Sequence, residues 1–193
     1  MTKSVCVFCS SSEDLQKGYY DFAERFGKIL AENNFTIYHG GGIIGLMGAM
    51  MRGAYKQGGA KIIGVVPEKL HREGIVSDEM QELVVTNDMK ERKSYLREHA
   101  DSFAIMPGAF GTMDEMFEIL TLKQLKYHNK AIVILNFNHF FDDMLRQMDK
   151  FFDEGFTISN YRTTYYVCET PEEAVEYLKN YKPTHIYDKY LKE

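Results

Sequence analysis

The sequence predicts an α/β fold built on a parallel sheet, and three observations carry that prediction. Short apolar runs alternate with amphipathic segments of helical spacing, glycine- or proline-rich turns lie between them, and no linker, internal repeat or low-complexity tract divides the chain. A helix between successive strands returns the chain to the same end of the sheet, which makes neighbouring strands parallel. The expected architecture is a Rossmann-like, doubly wound parallel sheet of six or seven strands in a single domain, residues 1–181, followed by a tail at 182–193.

Residues 4–9 read as the first strand and end in a polar, serine-rich turn at 10–14. An amphipathic helix follows over about 19–33, with Phe22, Ala23, Phe26, Ile29 and Leu30 on one stripe. Residues 35–38 form the second strand. Gly40, Gly41 and Gly42 then turn the chain into a helix that starts near Gly45 and stops at Gly58 and Gly59. Glycine-rich strand-to-helix turns are the usual phosphate cradles of doubly wound sheets, which favours a cradle over a merely tight turn. The Gly-x-Gly-x-x-Gly spacing of a dinucleotide site is missing.

The third strand, 61–66, is closed by Pro67, and a polar stretch at 68–79 leads to a shorter strand at 82–85. A helix over 88–100 brings Met89, Leu96 and His99 close to one face, with Arg92 between them. An arginine inside an apolar stripe needs a partner, whereas Lys90, Glu91 and Arg97 suit a solvated face.

The densest signal spans 102–120. Residues 102–106 form a buried strand stopped by Pro107, which has no N–H for the ladder. Gly108 and Gly111 let the backbone turn and leave its amides bare at the positive end of the next helix, a setting that suits a phosphate. Thr112 and Glu115 have capping-box spacing, so Glu115 has a structural reading; with Asp114 it also puts two acids beside an anion-type loop, which is a functional one. These residues alone leave both open. Met113, Phe117 and Leu120 on one side, with Met116, Ile119, Leu122 and Leu125 around the rest, make 111–127 apolar beyond what one sheet can cover. A second copy of the chain, related by a two-fold axis, is the expected cover. A strand at 131–135, a helix at 138–152, a short strand at 165–168 and a helix at 171–181 with proline in its first turn complete the pattern before the polar, tyrosine-rich tail.

With 193 residues, 45% of them hydrophobic and 26% charged, the chain has an ordinary globular composition and length enough for a sizeable core. A net charge of −5 argues against a general nucleic-acid binder, so any phosphate site must be local. No apolar run approaches the ~20 residues of a membrane span, and Met1 leads into a strand without a signal-peptide layout; a cytoplasmic location is expected. Three cysteines, an odd number, suit a reducing compartment, and Cys6 and Cys9 on one strand point to opposite faces and are expected simply to be buried. No His/Cys cluster has metal-ligand spacing, and nothing organises around one lysine as a pyridoxal enzyme would; no cofactor is expected.

Pro107-Gly-Ala-Phe-Gly-Thr-x-x-Glu115 resembles the Pro-Gly-Gly-x-Gly-Thr-x-x-Glu signature of the LOG family, the cytokinin riboside 5′-monophosphate phosphoribohydrolases, whose members are often labelled possible lysine decarboxylases. Three further blocks resemble the family's in the same order: Val5-Cys-Val-Phe-Cys-Ser-Ser11, Gly40-Gly-Gly-Ile-Ile-Gly-Leu-Met-Gly48 and Asp88-Met-Lys-Glu-Arg-Lys93. The similarity runs from about 5 to about 181. It departs at Ser10 and Ala109, usually glycines, at His39, where tyrosine is common, and at Lys90, where histidine is common. The resemblance implies hydrolysis of the N-glycosidic bond of a nucleoside 5′-monophosphate to free base and ribose 5-phosphate. It also implies a homodimer, and catalytic roles for Arg92 and Glu115. Substrate contacts are expected from Ser10, Gly41, Gly42, Met89, Lys93, Gly108, Ala109, Phe110, Gly111, Thr112 and Asp114. The alternative class is a non-catalytic carrier or sensor of a phosphorylated cofactor, such as the molybdenum cofactor, which does not require the pair Arg92 and Glu115. The alanine at 109 is expected to hold a negative φ.

Overall fold

The computed structural model describes residues 3–72, 79–183 and 185–186. Its elements are β1 (Ser4–Phe8), α1 (Lys17–Glu32), β2 (Thr36–His39), α2 (Gly45–Gln57), β3 (Ile62–Pro67), β4 (Glu82–Thr86), α3 (Met89–His99), β5 (Ser102–Ile105), α4 (Phe110–Gln124), β6 (Ala131–Leu135), α5 (Asp142–Asp153), β7 (Tyr166–Cys168) and α6 (Pro171–Asn180). Among the described residues, seven parallel strands form one sheet in the order β4-β3-β2-β1-β5-β6-β7. The chain starts near the middle, winds to one edge, crosses back to β5 beside β1, and winds out to the other edge. The sheet is therefore doubly wound, and its direction of winding reverses between β1 and β5, where ligands of such sheets bind beyond the carboxyl ends.

Alternate residues of each strand feed opposite layers. Val5, Val7, Ala104 and Val133 pack toward α1, α2 and α6, while Cys6, Phe8, Phe103 and Ile132 pack toward α3, α4 and α5 through Leu96, Met116 and Met148. Burial on both faces is why these strands read as unbroken apolar runs rather than alternating ones. Cys6 and Cys9 fall in opposite layers as buried thiols.

The structure corrects three local expectations. The helix expected from 138 starts at Asp142, because Asn138 and His139 hold φ of 53° and 58° in a short 3-10 turn, Phe137–His139. The Asn136 amide fixes that turn, accepting from the Phe141 N–H and donating to Asp142. Another 3-10 segment, Ser159–Thr164, carried no anticipated pattern. On α4 the buried stripe is Thr112, Met116, Ile119, Leu120 and Lys123, whereas Phe117, read on the same side as Leu120, is 39% exposed. Of the tail, Ile186 is buried with Phe152 and Tyr161; residues 184 and 187–193 lie outside the described residues, as do 73–78 of the polar stretch before β4.

Lys123 is fully buried on α4, where its ammonium donates to the Lys130 carbonyl (2.7 Å) and the Tyr181 hydroxyl (3.0 Å). Burial brings its pKa down to about 8 from the ordinary 10.5. Between those values the unfolded chain binds more protons than the folded one, so this lysine opposes folding below about pH 8, and the opposition fades as pH rises toward 10.5. Urea unfolding of wild type and Lys123→Met at pH 7.5 and pH 10 checks this: wild type should gain about 2 kcal/mol on the variant at the higher pH. A constant difference would show the lysine to be uncharged or solvated.

Candidate active site

Two helices on one face of the sheet meet through charge. Arg92 on α3 and Glu115 on α4 have side chains 9% and 12% exposed, and Arg92 Nη1 donates to Glu115 Oε1 at 2.6 Å. Arg92 Nε donates to the Val65 carbonyl at the end of β3 (3.0 Å), and Nη2 lies over Gly40, where an added Cβ would sit 2.5 Å away. The arginine that interrupted an apolar stripe is thus tied to two other elements and roofed by a glycine. Lys93, one residue on, pairs with Asp114 (3.0 Å) and Glu118 (2.6 Å), and Arg97 pairs with Glu118 at 2.7 Å. Lys93 and Asp114, both expected at the substrate, are therefore joined to each other. Glu118, which binds both cations, escaped the sequence reading; its one visible signal was its position four residues after Asp114 on the same helix.

The capping-box reading of Thr112 and Glu115 does not hold. The helix starts at Phe110 with Ala109 as N-cap, which puts Thr112 in the first turn, buried, and Glu115 in the second. Thr112 packs against Gly108, where a Cβ would stand 2.1 Å from its hydroxyl oxygen. Ala109 has φ −100°, a negative value that alanine adopts without strain. Helix geometry leaves the N–H groups of Phe110, Gly111 and Thr112 without partners inside the helix. Phe110 is 92% exposed, and Met89, at the first position of α3, is 45% exposed.

The loops after β1 and β5 are knit together: Ser10 donates its N–H to the Pro107 carbonyl (3.0 Å) and accepts from Leu46 at the start of α2 (3.0 Å). Between them lies a cavity of about 440 Å³ whose walls include Ser10, Gly108 and Ala109. The triple-glycine turn behaves differently from the cradle expected of it. Gly41, at φ +79°, donates to His39 Nδ1 (3.2 Å), and Gly42 donates to the Met47 thioether (3.2 Å), so both amides are taken up within the turn. What the turn supplies is room for Arg92.

Burial sets the electrostatics. It pushes the Glu115 carboxyl above its ordinary pKa, outweighing the pull of Arg92 in the other direction. It also lowers His39 to about 4, helped by Arg92 nearby, which keeps the imidazole neutral so that Nδ1 can accept from Gly41. A carboxylate whose proton affinity is raised by burial, beside a fixed guanidinium, is fitted to take a proton from water and to face a developing positive charge.

A family model described as possible lysine decarboxylase matches residues 47–178. The cytokinin riboside 5′-monophosphate phosphoribohydrolase LOG4 of Arabidopsis thaliana is 35% identical over 181 residues, which cover 94% of this chain and 84% of that protein. The chain belongs to the LOG family. LOGL2 of Oryza sativa subsp. japonica, named as a probable enzyme of the same activity, is 36% identical over 183 residues, 95% of this chain and 75% of its own length. Among solved structures, the molybdenum cofactor carrier protein of Chlamydomonas reinhardtii superposes with a TM-score of 0.70 at 20% identity, over 93% of this chain and 97% of that one. At that identity the likeness establishes the shared fold, while LOG membership rests on the sequence relatives.

Proposed function

We propose that this LOG-family chain hydrolyses the N-glycosidic bond of nucleoside 5′-monophosphates, AMP or its N6-substituted cytokinin relatives, giving free base and ribose 5-phosphate. The observation that carries the reading is the buried Arg92–Glu115 pair beside the amino end of α4, at the carboxyl edge of the sheet. In this reading the 5′-phosphate rests on the amides of Phe110, Gly111 and Thr112 with the Ser10 hydroxyl beside it, and Gly108 and Ala109 keep the approach clear. Glu115 takes a proton from the attacking water as its oxygen bonds to the anomeric carbon; the bond to the base breaks, its electron pair leaves with the base, and the base takes up a proton. Arg92 fixes Glu115 in place. The pair Lys93–Asp114 and the exposed Met89 flank the site, and Gly41 and Gly42 belong to the turn whose Gly40 leaves room for Arg92. Residues 1–181 would act as one nucleotide-binding domain in the cytoplasm, without nucleic acid, and 182–193 as an appended tail; no helix among the described residues is long and apolar enough to cross a membrane.

Release of adenine by purified protein tests this reading. AMP should be cleaved with a kcat/KM about a hundredfold or more above that of adenosine, since the phosphate contacts hold the sugar for reaction. Comparable values would overturn the reading, and tight AMP binding with no adenine released would favour the carrier class.

The same reading includes a two-fold homodimer. Phe117, Phe151, Phe156 and Leu120 line an apolar groove of about 260 Å³ between α4 and α5, and Phe156 is 80% exposed. Apolar side chains so grouped are characteristic of a covered surface. Light scattering should give a dimeric mass at micromolar concentration and a monomeric one for Phe117→Asp; a monomeric wild type would remove this part of the proposal.

A further inference from the structure

The cavity at the reversal point of the sheet has an unusual wall for a phosphate-binding protein. Around its about 440 Å³ are Pro107, Gly108 and Ala109 on one side and Ser10, Asp14 and Tyr19 on the other, with Phe140 also in the lining. Neither Arg92 nor Glu115 lines it. Among the described residues, the one formally charged member of the lining is acidic, Asp14. Lys17, the nearest lysine in sequence, pairs with Asp21 at 2.5 Å, and His139, beside Phe140, faces Asp142 at 3.5 Å.

Asp14 is held there by its backbone. Ser12 donates its N–H to the Ser10 hydroxyl (3.0 Å), Asp14 donates its own to the Ser12 hydroxyl (3.4 Å), and the Tyr20 hydroxyl clasps the turn, donating to Ser12 O and accepting from Leu15 N at 3.3 Å each. These bonds lie on both sides of Asp14 and fix its backbone at the cavity wall, with the residue itself exposed.

We infer that Asp14 is a specificity-determining residue that limits the site to nucleoside monophosphates by repelling a second phosphoryl group. The inference rests on the phosphoribohydrolase reading. With the anomeric carbon at Glu115 and the 5′-phosphate on the amides that follow Ala109, whatever is attached beyond that phosphate enters this cavity. Shape does not turn it away, because the space is more than ten times the ~30 Å³ share of one liquid water. Charge does: a single phosphate dianion is met by the amino end of α4, whereas the next phosphate meets a carboxylate with no cation among the described lining residues.

Calorimetric titration with AMP and ADP in EDTA tests this in Glu115→Gln, which leaves the nucleotide intact. Adding Asp14→Asn should lower the ratio of the ADP to the AMP dissociation constant about tenfold, the size of one like-charge contact in partly solvated surroundings, and should flatten the salt dependence of that ratio. Glu13→Gln, a neighbouring charge outside the lining, should leave the ratio unchanged. The same ratio, read as inhibition of turnover by wild type and Asp14→Asn, covers the case in which the Glu115→Gln background fails to bind. An unchanged ratio in Asp14→Asn, or an equal fall in Glu13→Gln, overturns the assignment. A wild type that binds AMP but releases no adenine defeats the hydrolase reading instead, and the binding ratio still decides the part played by Asp14.

Discussion

Glu115→Gln should lower kcat for AMP about a thousandfold while moving KM by less than a few-fold, within the range removed with a general base that also faces transition-state charge. The substitution is nearly isosteric and keeps an oxygen for the 2.6 Å bond from Arg92, so the site should stay assembled. What it loses is the ability to accept a proton from water and the negative charge opposite the oxocarbenium-like sugar. Burial holds this carboxyl above the ordinary value of 4.5, and in the proposed mechanism the ionised form is the active one. The rate of the wild type should therefore fall as pH drops through a midpoint higher than that of an exposed glutamate, and the residual rate of the variant should lack that midpoint. Steady-state kinetics from pH 4 to 8 measure both. A variant retaining more than a tenth of the rate would return Glu115 to a structural part, although the cap it seemed to form is absent: Ala109, not Thr112, begins the helix.

That false cap shows where sequence legibility ended. Thr-x-x-Glu spacing is shared by helix starts and by first turns, and only the path of the chain after Pro107 decides which, because the helix can begin at any residue the loop delivers in helical geometry. The sheet was legible for a firmer reason. Strands covered on both faces have no polar alternation, so runs such as Ala131–Leu135 stand out between turns, and the strand-helix order fixes parallel pairing. The start of α5 was not legible, since left-handed Asn138 and His139 are set by the bonds of Asn136 to Phe141 and Asp142.

In the candidate site, Arg92 could be read as a charge in want of a partner, yet its bond to Val65 and its close approach to Gly40 involve separate elements and appear only when β3, β2 and α3 are brought together. Lys93 and Asp114 were read as substrate contacts and Arg97 as solvated surface, and Glu118 carried no reading. Their pairing across α3 and α4, 21 residues apart, is a property of how the two helices lie on the sheet. The triple glycine was read for its bare amides. It serves through its missing side chains, which no spacing rule distinguishes.

The arginine gives the second large effect. Arg92→Lys keeps the charge and should still lower kcat/KM about a hundredfold, because the guanidinium holds three places at once: Nε donates to Val65 O, Nη1 donates to Glu115, and Nη2 fills the space over Gly40. A lysine brings one nitrogen and can serve only one of these places. Arg92→Ala removes the charge as well and leaves a largely buried carboxylate without its partner, a change that costs about 3–5 kcal/mol when the orphaned group stays ionised. Glu115 can escape that cost by protonating. Arg92 is the strongest influence lowering the Glu115 pKa, so without it burial acts unopposed by the pair and the pKa climbs further. The acid limb of the pH–rate profile should therefore move to higher pH in Arg92→Ala and stay near its wild-type position in Arg92→Lys, where a cation remains. The two variants together separate placement from charge. A lysine variant within threefold of wild type would mean that charge alone suffices, and an alanine variant with an unmoved acid limb would show that the limb belongs to a group other than Glu115.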